Sequence, residues 1–327
     1  MKKGLKILLI LSAVFVMSGI SLIVAGAFGG VNFEDAYLSV GDYSAIIDPT
    51  HTSQTVTDVA PLQGTDSSAD SGFMVDSDEG IVSLDIDWVS GSVDFVIHED
   101  DHFGFSEHSD RPIEDAYKMV VGQKGNTLEV DYTDKVPLLG SIPTKYLTVY
   151  IPAAKAAAMN EIRISVTSAE VSVSGITADK LIVSSVSGEV YAEEMTLRYV
   201  SIETTSGEVM LNQLGTSCTA EMNTVSGDID LSGNYQEVEA NSTSGEVKIS
   251  LSAPSQELEI DTTSGDVTLQ IPDGMGLELE YDTVSGDFIS DMAMVYRDES
   301  YILNGGGAEY EVSTTSGDLI VQAYIEK

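Results

Sequence analysis

One motif constrains what this chain can fold into more than any other feature: Ser-Gly-Asp/Glu followed by an apolar residue. It occurs at Ser187-Gly188-Glu189-Val190, Ser206-Gly207-Glu208-Val209, Ser226-Gly227-Asp228-Ile229 and Ser244-Gly245-Glu246-Val247. It returns at Ser264-Gly265-Asp266-Val267, Ser285-Gly286-Asp287-Phe288 and Ser316-Gly317-Asp318-Leu319. A degenerate copy, Ser168-Ala169-Glu170-Val171, precedes them. From Ala169 onward the steps are 19, 19, 20, 18, 20, 21 and 31 residues. A period of about 20 residues marks a repeat architecture, in which each unit buries its apolar face only against its neighbours.

The residues around each glycine say what the unit is. Leu258, Ile260, Thr262 and Ser264 alternate with polar residues before Gly265; Val267, Leu269 and Ile271 alternate after it. Period two means a strand with one buried face. The phase slips by one residue at the motif, so a straight strand would turn one half outward. A bend at a glycine, which adopts backbone angles other residues avoid, repairs the slip. The same slip recurs at Gly207 and Gly245. These observations predict an all-β, single-stranded β-solenoid (β-helix or β-roll-like) with turns of about 19–20 residues. Corner glycines are expected at Gly188, Gly207, Gly227, Gly245, Gly265, Gly286 and Gly317. A β-sandwich of short strands is the competing reading, but it lacks a motif at fixed spacing.

Upstream, Leu84, Ile86, Trp88 and Ser90 alternate, then Gly91, then Val93, Phe95 and Ile97, with Ser92 in the acid position. This predicts the solenoid's first turn near Ile81, with Trp88, the sole tryptophan, as a plug closing the end of the core. Further strands are expected at 103–106, 117–121, 127–132 and 146–151, and a helical turn within 153–161. The long last step holds an insertion, Met292 to Gly307, with Gly305-Gly306-Gly307 as a hinge or turn.

The N-terminus directs the chain to a membrane. Lys2, Lys3 and Lys6 precede an uncharged run from Ile7 to Gly30, long enough to span a bilayer as one transmembrane helix. The basic flank predicts a cytoplasmic N-terminus, with residues 31–327 extracellular and the lipid bilayer contacted through residues 7–30. The alternative is a signal peptide cleaved near Ala27, giving a secreted chain. The domain reading is a membrane anchor or signal segment over 1–30, an exported linker over 31–80 and the solenoid over 81–327. The linker is assigned because residues 48–80 are rich in Ser, Thr, Asp and Gly.

Charge narrows the partners. There are 53 acids against 15 bases, a formal net charge of −38. Nucleic-acid binding is excluded as a class, because phosphates need Lys and Arg. Cations and basic peptides are attracted instead. The single cysteine, Cys218, permits no intrachain disulfide and reads as a buried, inert thiol.

A resemblance can be named on these residues. The charged N-terminus with one apolar span, Leu147-Thr148-Val149-Tyr150-Ile151-Pro152, the serial Ser-Gly-Asp/Glu turns and the closing Gly305-Gly306-Gly307 with Thr314-Thr315-Ser316-Gly317-Asp318-Leu319-Ile320-Val321 resemble the bacterial "putative adhesin" β-solenoid surface family, catalogued as a domain of unknown function. The resemblance covers about residues 81–327. It implies a cell-surface location and an adhesive or envelope-stress role, and no catalytic residues. Ala169 departs from the glycine pattern, which bears on the corner geometry of its turn.

Three constellations could carry chemistry. The first is the acid row: Glu170, Glu189, Glu208, Asp228, Glu246, Asp266, Asp287 and Asp318. Stacked turns would line these carboxylates up about 4.8 Å apart, where neighbours repel by about 0.9 kcal/mol in bulk water. Glu189, Glu208, Asp228, Glu246, Asp266 and Asp287 are thus candidates for weak, distributed divalent-cation binding, with no other cofactor expected. The row is read first as corner residues that keep the solenoid soluble, because a calcium β-roll supplies several ligands per turn. The second is His98, Glu99, Asp100, Asp101 and His102, with Glu107 and His108; strand-like flanks argue for a solvated loop over a zinc site. The third is a column of Ser187, Ser206, Ser226, Ser244, Ser264 and Ser285, expected inward and hydrogen-bonded between turns. All four histidines lie before the repeats, which speaks against serine nucleophiles.

The sequence therefore reads as a membrane-anchored, non-enzymatic adhesion or binding module with an unidentified glycan, peptide or protein ligand. The alternative within binding is an envelope-stress module that sequesters cationic peptides or cations. A β-helical polysaccharide-degrading enzyme is disfavoured, since residues 162–327 hold few cations to meet an acidic sugar: Arg163, Lys180, Arg198, Lys248, Arg297 and Lys327. A concave pocket joining Asp and Arg would revive that reading.

Overall fold

Every repeat delivers one strand before the motif and one after it, and the two kinds of strand build two parallel ladders. In a computed structural model, which describes residues 54–55, 59–61, 70–75, 80–133, 143–215 and 217–324, the described chain is all-β apart from a few short turns. These residues belong to one unit, Gln54–Lys327. Among them no helix is long and apolar enough to cross a membrane; the expected span 7–30 lies outside the described residues.

In the first ladder, Thr177–Ser185, the end of Val190–Thr204, Thr219–Thr224, Glu237–Ser242 and Glu257–Thr262 pair in parallel without a register shift. In the second, Val190–Ala192, Val209–Gln213, Ile229–Gly233, Val247–Leu251 and Val267–Ile271 do the same. Inward side chains stack into a column that includes Val183, Ile202, Met222, Ala240, Ile260 and Val312, each fully buried. Cys218 lies in this interior, and burial pushes its thiol up to about 12, so it is inert at neutral pH.

The phase slip is present, but two residues earlier than the periodicity indicated. Around Gly265 the buried positions are Leu258, Ile260 and Thr262, then Gly265, Val267, Leu269 and Ile271. Thr263 and Ser264 are both exposed. The same holds for Ser187, Ser206, Ser226, Ser244 and Ser285, so the expected inward serine column faces solvent. The inward hydroxyls sit two residues upstream, at Ser185, Thr204, Thr224, Ser242, Thr262 and Thr314. Thr224, Ser242 and Thr262 accept from the N–H of Gly227, Gly245 and Gly265 at 2.8, 2.9 and 3.1 Å. The outward serines still bridge turns: Ser226, Ser244 and Ser264 donate to the carbonyls of Thr205, Val225 and Thr243.

The reason for glycine also differs from the expected one. None of the seven corner glycines has a positive φ. Instead, a Cβ on Gly188, Gly207, Gly227, Gly245 or Gly265 would lie 1.8–2.2 Å from the carbonyl oxygen of the preceding coil's corner residue. Glycine is required for close stacking, not for a special backbone angle. Ala169 is tolerated and fully buried because its coil, Met159–Ser174, passes the corner as one continuous strand against Ser83–His98.

The stack does not follow the sequence at either end. Ser83–His98 lies between Met159–Ser174 on one side and Thr127–Asp131 with Lys145–Pro152 on the other. Trp88 is therefore buried one coil in from the end rather than plugging it. It packs edge-on against Tyr132 of the outer coil, ring centroids 4.9 Å apart. At the other end, Ala308–Thr314 and Leu319–Ala323 slot between the coil of Glu257–Ile271 and the coil of Leu277–Ser290.

Antiparallel strands finish the first end. Val120–Lys124 pairs with Thr127–Asp131, and Gly104–Ser109 with Lys145–Pro152. Asp70–Val75 pairs with Gly104–Ser109, and Gln54–Thr55 with Val120–Lys124. Part of the stretch read as an exported linker over 31–80 is thus edge structure of the solenoid. Its polar composition suits an edge strand with one solvated face. The expected helical turn is Ala153–Ala156.

Candidate binding face

The acid row is in register. The N–H groups of Val171, Val190, Val209, Ile229 and Val247 donate to the carbonyls of Glu189, Glu208, Asp228, Glu246 and Asp266. Val267 donates to Asp318 and Leu319 to Asp287, so the spatial order ends Asp266, Asp318, Asp287. The aspartates have a defined task. Asp228 Oδ1 accepts from the N–H of Glu246 at 2.8 Å, Asp266 Oδ1 from Asp318 at 2.9 Å, and Asp318 Oδ1 from Asp287 at 2.8 Å. A short carboxylate reaches the next coil's backbone and clamps it. Glu189 instead accepts from Tyr191 Oη at 2.5 Å, and this bond pushes the phenol up to about 12. Among the described residues, no group of three or more His, Cys, Asp or Glu is arranged to hold a metal ion.

A second acidic array was legible but missed. The outward positions of the first ladder carry Glu237, Glu257, Glu309 and Glu278 in one row. The adjacent row carries Glu221, Glu239, Glu259, Glu311 and Glu280. Nine glutamates thus occupy two neighbouring rows of one parallel ladder. The sequence signal is Glu-x-Glu alternation in Glu237-Val238-Glu239, Glu257-Leu258-Glu259, Glu278-Leu279-Glu280 and Glu309-Tyr310-Glu311. The second ladder's outward row is mixed by contrast: Tyr191, Met210, Asp230, Lys248, Thr268 and Ile320. Its Lys248 Nζ is paired with Asp230 Oδ2 at 2.5 Å.

Toward the other end the acidic face gives way to mixed charge. An open groove of about 490 Å³ is lined by Asp85, Glu129, Glu161, Asp179, Lys124 and Lys180 among others. Burial, and next the charge of Asp87, push Asp85 up to about 6. Asp87 is also raised, chiefly by burial. Arg163 sits beside Asp85 in register, but its Nη2 is committed to Glu161 Oε1 at 2.8 Å.

The histidine cluster does not converge. His98 Nδ1 is 3.5 Å from Asp100 Oδ2, while His102 and His108 are exposed. Glu107 and His108 fall on opposite faces of Gly104–Ser109. Glu107 is instead part of a buried ion pair that the sequence did not reveal. Lys145 Nζ lies 2.7 Å from Glu107 Oε2, both side chains fully buried. The ammonium also donates to the carbonyls of Tyr117 and Tyr132, and it sits 3.9 Å from the Tyr132 ring centroid. Glu107 Oε1 accepts from Ser71 Oγ at 2.6 Å and from the Met119 N–H at 2.9 Å. Burial lowers the Lys145 pKa, opposed by Glu107. With its partners satisfied, the pair fastens the end strands to one another.

Stacked parallel coils with in-register corner motifs define a repeat scaffold of the solenoid class. Its family is shown by the sequence: the model of the Toastrack domain, DUF4097, matches residues 81–322, and the chain belongs to that family. A comparison with curated proteins finds no match. Among solved structures, the chain is similar to a "putative cell adhesion protein" from Clostridium sporogenes ATCC 15579. That likeness has 12% identity, covers 81% of this chain and 100% of the other, and has a TM-score of 0.28, too loose to carry an argument.

Proposed function

We propose that this chain is a non-enzymatic binding module that presents its glutamate face to a cationic ligand outside the cell. The observation that carries this reading is the pair of adjacent glutamate rows on one parallel ladder. Carboxylates held one strand spacing apart sum their fields, so a polycation gains from several at once. Anchorage through residues 7–30, with the solenoid outside, fits the basic flank at Lys2, Lys3 and Lys6. An adhesive role is what the resemblance to the surface family implies, and a stack of coils held by neighbour contacts would suit it.

The groove at Asp85 is the feature nearest to an enzyme site; its lining cations are Lys124 and Lys180, and Arg163, the ladder neighbour of Asp85, is engaged by Glu161. Sequestration of cationic peptides is the second reading, favoured by the nine glutamates gathered in the two rows.

The test is binding of the purified chain to a basic peptide, to poly-lysine and to neutral glycans at several salt concentrations. Binding to the cationic probes that weakens steeply with salt supports the proposal. The triple variant Glu239→Gln, Glu259→Gln, Glu311→Gln should lose about tenfold in affinity. Glycan binding insensitive to both salt and the triple variant would overturn it.

A further inference from the structure

The last coil in the sequence is not the last in the stack. Residues 308–323 fill a slot between the coils 257–271 and 277–290. Every wall of that slot comes from before residue 291, and its occupant begins after residue 307. The occupant is held on both sides. Asp318 N–H is clamped by Asp266, and its own carboxylate clamps Asp287. Tyr281 Oη donates to the Gly317 carbonyl at 2.7 Å, and Tyr324 N–H to that of Ile271 at 2.7 Å.

The link into the occupant is a tight reversal. Asn304, Gly305, Gly306 and Gly307 have φ of 50°, 90°, 91° and 158°. Asn304 is the one non-glycine residue among these four positive angles, and asparagine tolerates the left-handed region better than most side chains. The three glycines can open to an extended path without steric penalty. A short glycine hinge feeding an element whose contacts are all made elsewhere is the condition for exchange between identical chains.

We propose that the coil 308–323 exchanges between two copies of this chain, each copy's coil occupying the other's slot. A second copy is the occupant because the slot demands a particular series: Tyr310 and Val312 inward, Gly317 at the close approach, Asp318 at the clamp, then Leu319 and Val321. An identical chain supplies all of these in register. Exchange conserves each contact, so the path of the hinge and concentration set the balance. Charge opposes bringing two acidic copies together, so added salt favours the exchanged dimer.

The test uses two single-cysteine variants of the full chain in mild detergent, Gln270→Cys and Gln322→Cys. These positions are side by side in the ladder, within the reach of a disulfide. The two variants are unfolded together, refolded at high concentration, and oxidised afterward. Exchange predicts a covalent dimer joining one variant to the other, and none from either variant alone. The native Cys218 thiol is buried and stays out of the reaction. Deleting Gly306 and Gly307 should raise the dimer fraction about tenfold, since a shortened hinge cannot fold back. If that variant does not fold, the mixed-cysteine result still decides. Mixed chains that never cross-link, while a chain carrying both cysteines bonds internally, overturn the proposal. A dimer without the mixed disulfide also overturns it, because the copies are then joined elsewhere.

Discussion

The carbonyl oxygen of Gly227 lies 1.9 Å from where a Cβ on Gly245 would sit. No side chain fits in that space without separating two coils whose corners are hydrogen-bonded. Gly245→Ala should therefore destabilise by about 2–4 kcal/mol, as overpacking against rigid backbone does. Gly125, with φ of 64° and open space around it, should cost only about 1 kcal/mol on the same change. Urea unfolding of the two variants checks the contrast, and equal losses would refute the packing account.

The clamp separates aspartate from glutamate in the acid row. Asp266→Ala removes an acceptor from the Asp318 N–H and should cost about 1 kcal/mol. Glu246→Gln removes charge without touching a clamp and should be neutral or slightly stabilising at low salt. Changing Glu246 and Asp266 together to Asn should shrink any rise in melting temperature with Ca²⁺ or Mg²⁺. A full cation response in that double variant would place its origin elsewhere, and the glutamate rows are the next place to look.

Asp85 makes stability depend on pH in an unusual direction. Its folded pKa of about 6 is above the ordinary 3.8, so the folded state holds the proton more tightly. The resulting stabilisation is fully present below about pH 4 and is lost as pH rises through about 6. Asp85→Asn should therefore raise stability at pH 7.5 by about 1 kcal/mol, after allowing for its partial solvent exposure, and leave it unchanged near pH 4. Thermal melts of both chains across that range measure the difference; equal gains at both pH values would count against it.

The buried pair predicts strong non-additivity. Lys145→Met leaves Glu107 buried without its counter-charge and should cost about 3–5 kcal/mol. Adding Glu107→Leu should recover part of that loss, because two apolar groups leave no uncompensated charge. A double-mutant cycle on the unfolding free energy reports the coupling, and simple additivity would show that the pair does not act as a unit.

How much was legible follows from which signals are local. The repeat, the strand periodicity and the acid row were visible because stacking forces each coil to reuse the same residues at the same offsets. The Glu-x-Glu rows were equally written in Glu257-Leu258-Glu259 and its copies, though only the ladder register shows that they share one face. Lys145 and Glu107 were not legible, since 38 residues separate them and nothing in either neighbourhood marks a charge as buried. The direction of Ser264 was misjudged because alternation alone cannot say which residue of a corner absorbs the extra step.

The sequence by itself determined that this protein is a stack of β coils with glycine at the corner of seven repeats, because nearest-neighbour packing imposes one short pattern on successive units. Only the tertiary structure decided the order of the stack. Coil 83–98 could have ended it, and coil 308–323 could have been outermost, with the same alternation and the same motifs. All coils present nearly equivalent edges, so local pattern cannot choose among neighbours. The choice falls to contacts between distant residues: Trp88 against Tyr132 and Lys145 at one end, and Asp266 to Asp318 to Asp287 at the other.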